Sequence, residues 1–131
     1  MADEVIRVVA AVIWRGDEYL VARRPDHKRH GGLWEFPGGK VLDGESGFEA
    51  VKRELDEELG VEVTGIGEVL YSDRDDGSQF VIEFVETQIL GEPEAIEHSD
   101  LRWVKQEDLG GMELAPTDAR FVSECLSSDR G

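Results

Sequence analysis

Residues 38–61 read GGKVLDGESGFEAVKRELDEELGV, and their internal spacing organises the rest of the chain. From Ser46 to Leu59 the pattern is helical. Ser46 and Glu49 form a capping box, and Phe48, Val51, Leu55 and Leu59 recur at intervals of three and four as one apolar stripe. Gly60 is placed to end the helix as its C-cap. Glu54, Glu57 and Glu58 follow the same intervals, so their carboxylates share a face. That arrangement is unfavourable in two ways. Like charges at these spacings repel by a few tenths of a kcal/mol per pair. Glu57 and Glu58 also occupy the last turn, where the helix dipole disfavours each by roughly 0.3–1 kcal/mol. Such a pattern is either a solvated acidic face or a seat for a hard divalent cation with oxygen ligands. The glycine pair before the helix points to the second, because it lets backbone approach a ligand closely. It is not a Walker A loop, since Val41 follows Lys40 where Ser or Thr is required.

Working outward, Ile6 to Ile13 is valine-rich and extended, Arg15-Gly16-Asp17 is a turn signal, and Tyr19 to Ala22 is a second extended segment. Together they predict a β-hairpin. Arg23 to Gly32 is a polar loop, and Leu33 to Phe36 is short and aromatic, ended by Pro37-Gly38-Gly39. Strands are expected over Gly67–Asp73 and Gln79–Ile89 around the turn Asp75-Asp76-Gly77, and over Leu101–Val104. Thr117 is positioned to cap a last helix whose buried face carries Phe121, Val122, Cys125 and Leu126, with Cys125 buried and inert. The order β-β-α-β-β-β-α predicts an α/β class (α+β, mixed sheet) with helices packed on the sheet faces. At 131 residues the chain makes one domain, residues 1–131.

Charge narrows the partners. Asp and Glu number 30 against 14 Lys and Arg, a net charge of -16, which repels nucleic-acid polymers and anionic membranes. Any anionic ligand must therefore be met by a metal or by a local basic patch. Arg23, Arg24, His27, Lys28, Arg29 and His30 form such an island, readable as a mobile solvated loop or as an electrostatic gate for a polyphosphate, with Arg23 the favoured contact and Lys40 a second. A purely solubilising acidic surface suited to high salt is a third reading. The single cysteine excludes an intrachain disulfide and fits a reducing compartment. The longest apolar run, Val8 to Trp14, is too short to span a membrane. The N-terminus lacks a signal-peptide pattern, so a cytoplasmic location is expected.

Taken as one register, Gly39, five residues, Glu45, seven residues, then Arg53-Glu54-Leu55-Asp56-Glu57-Glu58-Leu59-Gly60-Val61 resembles the box of the Nudix hydrolase family, G-x5-E-x7-R-E-U-x-E-E-x-G-U, at every fixed position. The lead-in Leu33 to Lys40 and the strand order extend the resemblance over most of the chain, nearest to the MutT-like and CTP pyrophosphohydrolase-like branch. The resemblance implies a Nudix-type α/β/α sandwich and hydrolysis of a nucleoside diphosphate derivative with Mg²⁺ or Mn²⁺. It implies Glu57 and Glu58 as metal ligands, Glu54 as a ligand or as the base that activates water, and the Gly38 carbonyl as a further ligand. Arg53 would orient the glutamates, Glu45 and Gly60 would support loop and helix beside Gly39, and Glu97 would bring another carboxylate to the metal, with His98 its competitor as ligand or base.

Two subfamily marks are absent: no proline stands some fifteen residues past the box, and no tyrosine stands nearby, since Tyr71 is too early. Their absence favours a nucleoside triphosphate pyrophosphohydrolase that releases a monophosphate and pyrophosphate. In the stretch Leu114 to Asp118, where MutT-like enzymes read the base, this chain has Asp118, and it contains no asparagine anywhere. An ionised Asp accepts from cytosine's amine or from guanine's N1 and N2 donors; it can equally cap the helix. Both 8-oxo-dGTP and cytidine nucleotides therefore stay open as substrates. Trp34, Phe36 and Phe80 are candidate stacking partners or core residues. A non-catalytic nucleotide sensor on the same fold, a hydrolase of another nucleoside diphosphate derivative, and a monomer or homodimer all remain open from sequence.

Overall fold

The computed structural model describes residues 5–75 and 77–126. In chain order its elements are β1 (Ile6–Val12), β2 (Trp14–Arg15), β3 (Glu18–Arg23), β4 (Trp34–Glu35), β5 (Gly38–Lys40), α1 (Gly47–Leu59), β6 (Glu62–Arg74), β7 (Phe80–Leu90), β8 (Asp100–Lys105), α2 (Gln106–Leu109) and α3 (Pro116–Cys125). β1 sets the layers. It is apolar at every position from Val8 on, so both its faces need cover. Val9 and Ala11, with Ile13 beyond the strand, pack on Ala50, Val51, Leu55 and Leu59 of α1. Ala10 and Val12 point the other way, into a cluster with Phe84, Phe121 and Val122 from β7 and α3. The strand period of two thus feeds two cores from one segment, and the chain forms a mixed sheet with a helix on each face.

That sheet has the order β5-β1-β7-β6, antiparallel except for the parallel pair β1–β7. In a second sheet β3 pairs with β2, β4 and β8, all antiparallel. α1 forms as its sequence requires. The Ser46 hydroxyl accepts from the Glu49 N–H at 3.1 Å, the Glu49 carboxylate accepts from the Ser46 N–H at 2.9 Å, and Gly60 closes the helix at φ 69.

Several expectations are corrected. β1 and β3 are not a hairpin of one sheet: the chain changes sheets after Val12, and the turn at Gly16 joins only the short β2 to β3. Gly38–Lys40 does not merely end the aromatic segment; it is the edge strand β5, where a Cβ on Gly38 would collide with the Val9 carbonyl. β6 begins at Glu62, earlier than Gly67, because register shifts carry its pairing with β7 through the glycine-containing stretch. Thr117 is not the cap of α3: Ala115 is, Pro116 opens the helix, and Thr117 is buried. Cys125 is exposed; although it follows Phe121 by one turn, the end of α3 meets only the Leu70 carbonyl there, at 3.8 Å. Phe48 lies at the rim of its stripe, 37% exposed, with the Lys52 ammonium over its ring. Asp76 of the expected turn lies outside the described residues.

The capping box is exposed and distant from the core, so its loss should act on helix stability alone. Ser46→Ala is expected to lower stability by about 1 kcal/mol. That is a fall of a few °C in Tm by thermal melting, with turnover per folded molecule unchanged.

Candidate active site

Arg53 assembles the site. Its Nε and Nη2 donate to the two oxygens of Glu45 at 2.7 and 3.0 Å, a bidentate pair. Nη2 also donates to the Lys40 carbonyl at 2.9 Å, and Nη1 to Glu54 at 3.1 Å and Glu57 at 3.5 Å. One guanidinium therefore ties the segment after β5 to α1 and offsets part of the carboxylate crowding. The Arg53 bonds, helped by the Leu42 N–H, hold the Glu45 carboxyl down at about 2.

Glu54 and Glu58, with Glu35, line a cleft beside this clamp. Glu54 lies over Gly39 so closely that a Cβ there would collide with its carboxyl, which is why the first box position is glycine. Glu58 is 8% exposed, and its Oε1 has no hydrogen-bond partner. Burial, then the facing Glu54, Glu35 and Glu97, push its carboxyl up to about 9. With one oxygen unpartnered and like charges around it, this carboxyl ionises favourably only when a cation joins it. The donor set is all oxygen, which suits Mg²⁺ or Mn²⁺. Among the described residues no three His, Cys, Asp or Glu side chains close a metal site by themselves. Mg²⁺ commonly takes only one or two carboxylates and completes its shell with phosphate oxygens and water, so Glu58 and Glu54 fit that ion.

The cleft has a volume of about 440 Å³ and reaches from Glu54 and Glu58 to Asp118, with Arg24, Lys28, Arg29 and Lys40 among its lining residues. Asp118 is placed by a tie between strand and loop: the Trp34 N–H donates to the Glu113 carbonyl and the Ala115 N–H to the Trp34 carbonyl, both at 2.8 Å. This brings the first turn of α3 against β4, and Asp118 Oδ2 accepts from the Phe36 N–H at 2.9 Å. Burial, with Glu35 adding, raises the Asp118 carboxyl well above the usual carboxylate range despite that bond. Asp75 is also buried and lines the cleft. Burial alone would raise it, but the Arg29 and His30 side chains, at 3.1 and 3.4 Å, hold it below its ordinary value, and its other oxygen accepts from the Thr117 hydroxyl at 3.3 Å.

The NUDIX domain profile matches residues 5–125. This chain belongs to the Nudix family. It is 41% identical to the CTP pyrophosphohydrolase of Escherichia coli K12 over 127 residues, 95% of this chain and 93% of that protein. It is 32% identical to an 8-oxo-dGTP diphosphatase of Haemophilus influenzae, over 97% of this chain and 96% of that protein. Its fold is similar to the crystal structure of a MutT NUDIX hydrolase from Burkholderia pseudomallei, with a TM-score of 0.83 and 29% identity, covering 95% of this chain and 99% of that one. It is a hydrolase acting on phosphoanhydride bonds, and Nudix hydrolases generally use divalent metal ions.

Of the Nudix box residues, Gly39, Glu54 and Glu58 line the cleft, while Glu45 and Arg53 clamp the segment beside it. Glu57 is not in the cleft lining; its side chain is 52% exposed and meets the same Arg53 Nη1 that bonds Glu54. Glu97 is exposed at the rim of a smaller cavity of about 80 Å³ that Gly38 and Glu58 also border. Lys40 lines the cleft, its ammonium 5.4 Å from the Phe80 ring. Arg23 does not line it: its guanidinium donates to the Gly32 carbonyl at 3.1 Å and reaches Ser99 at 3.5 Å, while Arg24 faces the cleft instead. The Phe36 ring is core, edge-on to Phe84 and Phe121, so only its backbone N–H serves the site. Trp34 is buried. Sequence reading missed Glu35 and Asp75. Glu35 had a signal, a lone carboxylate between two aromatics in a short strand; Asp75 had none beyond its turn.

Glu58 gives the metal-free protein a pH-dependent stability. The folded state holds its proton up to about 9, whereas the unfolded chain releases it near 4.5. Folding thus takes up a proton between those values, and stability falls as pH rises through that window. Glu58→Gln removes the effect. In urea melts without metal the variant should be the more stable at about pH 7.5, with the difference closing near pH 4.5. An equal gap at both values would show that Glu58 is not the group responsible.

Proposed function

We propose that this chain is a metal-dependent nucleoside triphosphate pyrophosphohydrolase, converting a (d)NTP and water to a (d)NMP and pyrophosphate, with 8-oxo-dGTP or cytidine nucleotides as substrates in nucleotide-pool sanitation. The observation that carries this reading is the polarity of the cleft. The Glu58 carboxyl with its unsatisfied oxygen, the buried hydrogen-bonding Asp118 carboxyl and cationic side chains line one shared space. A triphosphate with its base offers the matching groups. The relatives support the same choice, since one is named for CTP and another for 8-oxo-dGTP.

A divalent cation bound here supplies charge neutralisation on the phosphoryl oxygens and makes a bound water more acidic. Glu58 and Glu54 hold that cation, with Glu57, Glu97 and the Gly38 carbonyl as further ligands by likeness to the family. Glu58, Gly38 and Glu97 border one cavity, which supports the grouping. Glu54 accepts the proton of the attacking water, and Arg53 keeps its carboxylate in place. Arg24, Lys28 and Lys40 meet the phosphates. Asp118 spends one oxygen on the Phe36 N–H and keeps the other for the edge of the base.

Incubating a nucleotide panel with the purified protein and identifying products by mass tests the reaction. Monophosphate and pyrophosphate are expected with Mg²⁺ or Mn²⁺ and neither product in EDTA; full turnover after metal stripping would overturn the reading. Substrate choice is tested at Asp118. Asp118→Asn keeps the volume and an oxygen for Phe36 but fixes the free position as a donor, whereas the Asp118 carboxyl presents a hydroxyl donor there or, once a base-edge amine offsets its raised pKa, an acceptor. A hydrogen bond to a base edge is worth roughly 1–3 kcal/mol. The ratio of kcat/KM between cytidine and oxidised-guanine triphosphates should therefore shift about ten- to a hundredfold. A ratio unchanged within twofold would remove Asp118 from base reading.

A further inference from the structure

Among the described residues, two buried side-chain polar atoms have no hydrogen-bond partner: Glu58 Oε1 and His98 Nδ1. Both residues border the same cavity of about 80 Å³, along with Gly38, Glu35 and Glu97. That space is well above the ~10–15 Å³ that one water needs. His98 is firmly held. Its side chain is 6% exposed, and its Nε2 lies 2.9 Å from Glu35 Oε2, while the other Glu35 oxygen accepts from Arg24 at 3.0 Å. A carboxylate only accepts, so Nε2 carries a hydrogen, and in that tautomer Nδ1 is an acceptor. Two buried acceptors, a carboxylate oxygen and a ring nitrogen, thus border one small space. Their needs differ. The carboxylate suits a hard cation, whereas a hard cation prefers oxygen to imidazole; Arg24 and Lys28 also border the space, Arg24 bonded to Glu35, and the acceptor at Nδ1 calls for a hydrogen-bond donor, which a water supplies.

We infer that His98 is a positioning residue of the cation site: Glu58 Oε1 holds the divalent cation, and His98 Nδ1 accepts a hydrogen from a water lodged beside it in the small cavity. The inference rests on the cation reading of Glu58 given above. Glu35 sets the tautomer and the ring plane, the role that carboxylates behind histidines play around metal sites. Because His98 directly follows Glu97, its burial also anchors the rim segment that carries that carboxylate.

The test is Mn²⁺ binding to the substrate-free protein, read by electron paramagnetic resonance, with metal-free melting curves beside it. His98→Gln can still reach Glu35 but offers no acceptor at the Nδ1 position; His98→Asn offers an amide oxygen at that position and gives up Glu35. The Mn²⁺ Kd is expected to rise at least about tenfold in His98→Gln, with the metal-free Tm nearly unchanged, and to recover most of that loss in His98→Asn. A Kd within twofold of the parent in His98→Gln, or no recovery in His98→Asn, overturns the inference. If His98→Gln fails to fold, His98→Asn alone decides, near-parent affinity supporting the role and a tenfold loss overturning it. Glu58→Gln in the same titration separates the two levels. Binding lost there but kept in His98→Gln removes only the histidine's role; binding kept in both removes the cation reading as well.

Discussion

The bidentate pair between Arg53 and Glu45 is the contact on which the site depends. A thirteen-residue helix bearing glutamates at 49, 54, 57 and 58 is electrostatically poor on its own. Arg53 makes it workable by bonding Glu54 and Glu57 on the helix while reaching back to Glu45 and the Lys40 carbonyl. The same contacts fix the distance between β5 and α1, which places Gly39 under the Glu54 carboxyl. Without the guanidinium the glycine strand and the acidic helix would have no polar tie, and the carboxylates would be free to splay.

Glu58 stands outside that arrangement. It shares the helix face but lies buried, with one oxygen unsatisfied. The fold neutralises the glutamates that position the site and leaves unneutralised the one that faces the cavity. Local conflict of this kind, retained inside an otherwise consistent structure, is where function is expected. Asp118 is a second case: a buried carboxyl held by backbone N–H groups, that of Phe36 among them. Both line one cleft, and the pairing of β4 with residues 113–115 brings Asp118 to it.

What could be read from sequence follows the range of the interactions. α1 was legible to its caps because capping boxes, apolar stripes and C-cap glycines are settled within a few residues. The box glutamates followed from the same periodicity. The β1–β3 hairpin failed because a turn signal at Gly16 does not say which strand lies beyond it, and β1 is buried on both faces by elements from three parts of the chain. Cys125 failed because helical period gives a direction, while burial needs something to pack against. Asp75 and the anchoring of His98 were out of reach for a related reason, and Glu35 had only its place between two aromatics to mark it. Their partners lie 46 or 63 residues away, joined only when β4, β6 and the segment before β8 come together. Arg23 and Arg24 exchanged roles because β3 ends at Arg23, whose guanidinium turns to Gly32 and Ser99, while Arg24 in the loop beyond it lines the cleft.

The central claim is that the unsatisfied Glu58 oxygen exists to hold a divalent cation. Anomalous diffraction from crystals soaked in Mn²⁺ tests it most directly. The account predicts a single strong peak in the cavity bordered by Glu58, Gly38 and Glu97, within coordination reach of Glu58 Oε1. A peak bound only by solvent-exposed carboxylates elsewhere, with Glu58 left without a neighbour at saturating Mn²⁺, would contradict it.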